Sequence, residues 1–463
     1  MTRLRLCWIA LLACGSAAAA VPAISPAAGS DAVLSLRAAT AGELRLSYRH
    51  EVGGQPPEEV SAGIAPDYHY LKNAAELAVF DFKLRRILRV SPAQVFINDS
   101  LYAEVWFRAV ELRNRLGLSQ MMSKAGITPP AAATDSSDAF WIESDLGATA
   151  PQAPQPQLQQ LDDQGRMRWL LKGEEVAAVR YDGRPLPPEI RGALRRFWPR
   201  FTQMHPQIAD ALAASAHLPA ELWVKQKPFG KEPVMAHWKL LSSHWEAAAR
   251  YPLAPGLIAH PTSEDGAYPE IFATLASAVA ERKLPPSEDV YIMRAEAALG
   301  RNAGLEALTW VLEMGLAQGR SPGCQAPDAS QYCQLSRRAG PLAKSDPRTA
   351  LAFMKQSPDE IDRPQFNELP NAYLLRLLWA TRPPGKGVSR NESERDLLAA
   401  LKASPVANFC KDTGDFYVAA WHPFIAWQVW DLGRSMAGHT SGDLLDGIDT
   451  VESNLAAGER VLF

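Results

Sequence analysis

From residue 31 to residue 90 the sequence alternates apolar and polar residues, and a β-strand places such residues on two separate faces. The segment ELRLSYRHE (residues 43–51) puts Leu44, Leu46 and Tyr48 on one side. Further on, LAVFDFKLRRILRVS (residues 77–91) indicates two strands around a tight turn at residues 83–85. The pattern predicts an antiparallel sheet with one buried and one solvated face.

A helix is predicted directly after these strands, in NDSLYAEVWFRAVELRNRLGLS (residues 98–119), with Asn98 or Ser100 as its N-cap. An apolar stripe at helical spacing suits packing on the sheet and consists of Leu101, Val105, Ala109 and Leu112. Apart from FWIES (residues 140–144), residues 129–164 lack periodicity and are rich in proline, alanine and glutamine, which predicts an extended or disordered excursion. Residues 166–181 indicate a hairpin around Gly173, which either rejoins the first sheet or begins a second domain.

From Pro187 to residue 463 the sequence predicts one helix after another. Within this part, AEAALGRNAGLEAL (residues 295–308) resembles a tetratricopeptide-type unit over about 30 residues, without the full pattern or a second copy. We therefore expect stacked helical hairpins rather than membership of that family. The predicted fold class is α+β, with a β-containing domain at residues 31–181 and a mostly α-helical domain at residues 187–463.

The first twenty residues have the layout of a secretory signal peptide, with Arg3 and Arg5 before a short apolar run and small residues up to Ala20. The segment LLACG also fits a lipoprotein box, which would attach the chain to a membrane through Cys14. Later segments are too short or too polar to cross a membrane. We expect a periplasmic or secreted protein, or a membrane-anchored lipoprotein.

Three cysteines follow the signal segment. In an oxidising compartment CQAPDASQYC predicts a disulfide between Cys324 and Cys333, with two free thiols as the alternative, and Cys410 as a buried apolar side chain. The 48 basic and 51 acidic residues give a net charge of −3, which does not favour nucleic acid as a partner. One helix gathers several arginines that we expect on a solvated face, namely Arg191, Arg195, Arg196 and Arg200.

Candidates for chemistry are few, because the chain lacks the common metal, nucleophile and phosphate-loop motifs, and we expect no metal and no cofactor. His69 lies two residues after Asp67, and a surface or turn position is its preferred interpretation. The segment AHWKLLSSHWE (residues 236–246) contains two His-Trp pairs. Its apolar spacing predicts a helix interface formed by Trp238, Leu241, Trp245 and Ala248, flanked by His237 and His244.

The segment DFYVAAWHPFIAWQVWDLGR (residues 415–434) is rich in aromatic residues, and Pro423 divides it into two helical pieces. Trp421, Trp427 and Trp430 form a candidate aromatic binding surface, although burial in a helical core suits the spacing better. The sequence favours an exported, non-catalytic envelope protein that binds or scaffolds a protein or glycan partner through its helical domain. The alternative is a secreted hydrolase with a site in the cleft between the two domains, using His69, His237 and His244.

Overall fold

Twelve strands between residues 42 and 259 form one sheet in a computed structural model. The structure describes residues 42–124, 139–149, 156–227, 232–247, 249–261, 266–282, 284, 286–318, 324, 329–345, 390–403, 405, 407–436, 445–458 and 462. The strands are β1 (Gly42–Val52), β2 (Glu58–Ile64), β3 (Tyr68–Lys72), β4 (Leu77–Asp81), β5 (Arg86–Val90), β6 (Val95–Ser100), β7 (Leu158–Asp163), β8 (Arg166–Leu171), β9 (Glu174–Pro185), β10 (His217–Gln226), β11 (Val234–Ala247) and β12 (Ile258–Ala259).

The order of strands in the sheet is β12-β6-β5-β4-β3-β2-β1-β11-β10-β9-β8-β7. All neighbours are antiparallel except β12, which pairs parallel to β6. The hairpin at residues 166–181 therefore joins the first sheet through β8 and β9. Strands β1 and β11 lie side by side although almost two hundred residues separate them in the sequence. The predicted antiparallel sheet and the α+β class are confirmed.

Helices cover the face of the sheet that carries Leu44, Leu46 and Tyr48, which we name the inner face. These three side chains are buried under helices of the same unit. The predicted stripe of the helix after β6 is also buried, and Ser100 Oγ accepts a hydrogen bond from the Tyr102 N–H at 3.2 Å, as an N-cap would. The helices are α1 (Leu101–Lys124), α2 (Ala139–Leu146), α3 (Arg191–Thr202) and α4 (Pro206–Ala214).

The opposite, outer face differs between the two halves of the sheet. Residues 249–259, which we name the outer strap, place Tyr251 and Leu257 in an apolar cluster on β3–β6. The outer side chains there are correspondingly apolar and buried, as in Val79 and Leu88. On β8–β11 the outer face is polar and partly exposed. The solvated face predicted from residues 31–90 is therefore covered on β3–β5, whereas the outer face of β8–β11 is partly open to solvent.

The described residues fall into two compact units, one within Met1–His260 together with Leu455–Phe463, and the other within Pro261–Asn454. The second unit is helical. Its disulfide joins Cys324 to Cys333 with 5.6 Å between the Cα atoms, and Cys410 is a buried free thiol. The helices are α5 (Tyr268–Ala280), α6 (Glu288–Gly300), α7 (Gly304–Ala317), α8 (Gln331–Ser345), α9 (Arg390–Ala403), α10 (Ala407–Ala419), α11 (Pro423–Arg434) and α12 (Asp446–Gly458), of which α12 runs across the division.

One prediction about secondary structure is wrong, and a second is incomplete. The sequence predicts helices throughout residues 187–463, but β10 and β11 lie inside this range, and the segment AHWKLLSSHWE is part of β11. In the range 129–164, FWIES, the segment exempted from the predicted excursion, lies in the buried helix α2, and residues 158–163 form the edge strand β7, which the sequence pattern does not predict. The signal peptide, the lipoprotein box and much of the excursion lie outside the described residues.

Candidate functional site

The three histidines that suggest chemistry lie on opposite faces of the sheet. Leu44 pairs with Ile64, and Ile64 pairs with His69, so His69 belongs to the inner face. His244 pairs with Arg45, and His237 pairs with Glu51, so both belong to the outer face. Because the sheet itself separates the two sets, these histidines do not form a common site.

His69 is fully buried beneath α3, so its predicted surface or turn position is wrong. Its ring is enclosed by four phenylalanine rings, with centroid distances of 4.7 Å to Phe82, 5.4 Å to Phe80, 5.7 Å to Phe197 and 5.4 Å to Phe201. No described residue hydrogen-bonds to either ring nitrogen. Burial, followed by the charges of Arg200 and Arg196, holds the pKa of His69 well below its usual range, so the ring is neutral.

The arginine-rich face of α3 is not fully solvated, which corrects its expected position. The Arg200 side chain is 2% exposed, and its Nη2 lies 3.4 Å from Glu104 Oε2 on α1. Arg108 Nε donates to Glu104 Oε1 at 2.5 Å, so this carboxylate serves two guanidinium groups. Burial lowers the pKa of Arg196 to about 10, and Arg196 donates to the carbonyl of Pro66 at 2.8 Å.

The prediction of an aromatic binding surface in the helical unit is also wrong. Trp427 and Trp430 are buried in that unit, and their indole N–H groups donate to Glu452 at 3.0 Å and to the carbonyl of Lys411 at 3.2 Å. Trp421 is half-buried and precedes α11. Because α11 begins at Pro423 and packs these rings against its neighbours, the three tryptophans form no common exposed surface.

A carboxylate is buried on the outer face at Glu43. It accepts hydrogen bonds from Arg45 Nε at 2.9 Å and Tyr70 Oη at 3.0 Å, and also from the hydroxyl of Tyr68. Burial, together with Glu43, raises the pKa of both tyrosines, so their hydroxyls stay protonated and act as donors. Gly63 leaves the space in which Tyr70 meets Glu43, because a Cβ there would lie 2.2 Å from the Tyr70 ring. The Glu43 carboxylate is thus held by three donors, and this cluster has a structural role.

A second polar cluster lies on the exposed part of the outer face, across β8–β11. Trp223 on β10 and His237 on β11 are direct cross-strand partners, and their rings stack at 4.8 Å with an angle of 3°. The Arg166 guanidinium lies 4.7 Å from the Trp223 ring centroid, and that of Arg180 lies 5.9 Å away. Ala178, the partner of Trp223 on β9, provides the space for these long side chains. We name the whole group the outer patch, comprising Arg166, Arg168, Glu175, Arg180, Glu221, Trp223, His237 and Lys239.

Each carboxylate of the outer patch is shared by two cations. Glu175 contacts Arg166 and Arg168, each at 2.6 Å. Glu221 lies 3.1 Å from Arg180 Nη1 and 3.9 Å from Lys239 Nζ. The patch thus holds four basic and two acidic side chains, and its flanks carry Asp163 on β7 and Glu51 on β1. The guanidinium groups keep donors that point to solvent, with Arg180 56% exposed.

The sequence contains only part of the signal for this patch. Arg166 and Arg168 alternate within the predicted hairpin, and Glu221 and Trp223 alternate in the same way on β10. The assignment of residues from Pro187 onwards to helices conceals β10 and β11. Their pairing with β9 and β1 is a long-range event that local patterns do not contain.

The comparisons with known proteins add no functional assignment. The sequence matches no family model, and no curated protein matches it. Among the residues that the structure describes, no three His, Cys, Asp or Glu side chains are grouped so that they could hold a metal ion. No helix in this described part has the length and apolar content needed to cross a membrane.

Proposed function

We propose that this chain is a non-catalytic binding protein of an oxidising, extracytoplasmic compartment, and that the outer patch binds an acidic polypeptide partner. The observation that carries the proposal is the Trp223–His237 stack beside two arginines on a partly exposed sheet face. Tryptophan and arginine are the residues that most often dominate protein–protein binding energies. The excess of cations over carboxylates within the patch favours an acidic partner.

The location rests on two independent features. The Cys324–Cys333 disulfide is typical of proteins outside the reducing cytosol. The first twenty residues fit a signal peptide, and Cys14 leaves open a lipid anchor. Both features support a periplasmic or secreted protein, or a lipoprotein at the membrane surface.

The buried titratable groups favour binding over catalysis. The histidines put forward for a hydrolase lie on opposite faces of the sheet. The thiol of Cys410 is fully buried, and burial raises its pKa, so it is a poor nucleophile. The tyrosines at Glu43 are protonated donors. We therefore prefer the binding function over the hydrolase.

The helical unit has a supporting role in this proposal. Helices α6, α7 and α8 share one apolar core, which includes Tyr291, Trp310 and Tyr332. We propose that consecutive helices of this unit stack as hairpins and act as a scaffold.

The binding proposal can be tested with poly-L-glutamate as an acidic polypeptide probe, titrated into the full mature chain at several salt concentrations. We expect binding that weakens as salt rises, because the contacts are ionic. Substituting Arg166→Gln and Arg180→Gln together with Trp223→Ala should weaken this binding at least about tenfold. Unchanged binding by the triple variant would rule out the outer patch.

The matched control is the double variant Arg301→Gln and Arg338→Gln in the helical unit. Both arginines are exposed and ion-paired, to Glu306 and Glu296, so the loss of charge equals that of the patch arginines. If the control weakened poly-L-glutamate binding as much as the triple variant does, the loss would be due to net charge alone, which would contradict the proposal. In a second experiment, heparin at equal charge concentration replaces poly-L-glutamate as the probe. Tighter binding of heparin through the same patch would assign a glycan partner instead and overturn the polypeptide assignment.

A further inference from the structure

His69 differs from His205 and His50 of the same unit, because each of those two histidines has a carboxylate partner, whereas no described carboxylate hydrogen-bonds to His69. His205 Nε2 lies 3.0 Å from Glu143 Oε2, and His50 Nδ1 lies 3.1 Å from Glu58 Oε1. Around His69, in contrast, four phenylalanine rings contact the imidazole, and no described residue hydrogen-bonds to it. A buried polar group without a partner destabilises the fold, so its retention indicates another role.

The charged groups around His69 would repel a proton on its ring. Helix α3 contributes Arg196 and Arg200, which both act on His69 electrostatically. Helix α1 contributes Glu104 and Arg108, and Glu104 is already shared by Arg108 and Arg200. A protonated His69 would therefore add a positive charge to a buried region that already holds more cations than carboxylates.

Two further carboxylates near this region have cationic neighbours of their own. The charge of Asp67, which precedes β3, raises the pKa of Arg196, and the charge of Arg85 lowers it. Asp99 on β6 belongs to the same inner row as His69 and lies 3.9 Å from Arg89. Neither carboxylate hydrogen-bonds to a ring nitrogen of His69, so neither compensates a proton on the ring.

We infer that His69 is an acid-sensitive latch, which keeps α3 packed on the inner face at neutral pH and releases it when the ring takes up a proton. The cage is formed from both sides of this contact, since Phe80 and Phe82 belong to the sheet side and Phe197 and Phe201 belong to α3. Movement of α3 away from the sheet would open the cage and admit water to the imidazolium. Protonation of the His69 ring is thus coupled to the packing of α3 on the sheet.

The direction of the pH effect follows from proton linkage. A histidine in the open form titrates near its ordinary pKa of about 6.5. In the closed form its pKa is lower, so the open form binds more protons as the pH falls. The equilibrium between open and closed forms should rise about tenfold for each pH unit below about 6.5, until the closed form itself takes up the proton.

Hydrogen exchange of the full chain between pH 7.5 and pH 5.0, corrected for the intrinsic pH dependence of exchange, tests this latch. In the wild type we expect the protection of amides in α3 to fall about tenfold per pH unit below about 6.5, while the amides of α6 in the helical unit stay constant. In His69→Phe the protection of α3 should not depend on pH. Constant protection of α3 in the wild type would overturn the proposal.

Two further variants separate His69 from other sources of pH dependence. His69→Leu repeats the test with a smaller apolar side chain if the larger phenylalanine does not fit. His244→Phe is the matched control, because His244 is exposed on the outer face and its replacement should leave the pH dependence of α3 unchanged. If the His69 variants keep the wild-type pH profile, or if His244→Phe abolishes it, the latch does not reside at His69.

Discussion

At the scale of single residues, two buried tyrosines of the first unit differ in whether the hydroxyl group has a hydrogen-bond partner. The hydroxyl of Tyr70 donates to Glu43 at 3.0 Å, whereas no described residue hydrogen-bonds to the hydroxyl of Tyr48. Both side chains belong to strands in the sheet, and both are at most 5% exposed. The presence of a partner at one hydroxyl and its absence at the other should therefore dominate the effect of removing each oxygen.

We expect Tyr70→Phe to lower the free energy of unfolding of the first unit by about 1 kcal/mol, because it removes a donor from a buried carboxylate. Tyr48→Phe is the matched control and should be neutral or stabilising, because it removes a buried hydroxyl that costs free energy to desolvate. Urea unfolding of both variants, monitored by circular dichroism, measures the difference. A larger loss for Tyr48→Phe than for Tyr70→Phe would contradict this account of the two hydroxyls.

At the scale of elements, β11 shows why a strand can resemble a helix in sequence. Leu241 is an extra residue in the pairing of β11 with β1, where Ser47 pairs with Ser242 and Tyr48 pairs with Leu240. This bulge shifts the alternation by one residue, so that Trp238 and Trp245 belong to the same face although seven residues separate them. Their spacing, with Leu241 between them, also fits a helical stripe. The local pattern alone does not distinguish these two structures.

Other elements differ in how much of their structure the sequence contains. The hairpin of β4 and β5 and the helices α1, α3 and α5 follow from alternation, caps and prolines. Helix α2 lacks such a signal because nearly all its side chains are buried, including Trp141 and Glu143, so no polar side marks a helical period. The partners of Glu43 and the neighbours of His69 come from distant strands and helices, which local patterns do not specify.

The two tryptophans of β11 allow a direct test of the strand assignment. Trp238 is 3% exposed in the inner core, whereas Trp245 is 43% exposed near the end of the strand. We expect Trp238→Ala to lower the free energy of unfolding by about 3–5 kcal/mol. Trp245→Ala should cost about 1 kcal/mol or less, because much of its surface is already in water. Equal losses in denaturant unfolding would favour the helical seam over the strand.

At the scale of the whole molecule, the sequence indicates that a sheet-forming part precedes a helical part. It does not indicate that β1 pairs with the distant strand β11. Strand β1 lies between β2 and β11, so the sheet is completed only after helices α1–α4 have been added to the chain. The contact between β1 and β11 is a pairing of high sequence separation, for which loop closure carries an entropic cost. The first unit therefore depends on residues far apart in the chain, whereas the disulfide of the second unit joins residues only 9 apart.

The disulfide should stabilise the second unit without affecting the first. Cys333 is buried in the core shared by α6, α7 and α8, and Cys324 packs against that core. We expect Cys324→Ser to lower the stability of this unit by about 2–3 kcal/mol, since the free chain regains the entropy that the bridge removes. Trp238→Ala should act only on the other unit. Calorimetry of the full chain would then show separate transitions, each lowered by one of the two variants. If either variant lowered both transitions equally, the two units would unfold as one, and the division at residue 260 would not describe their energetics.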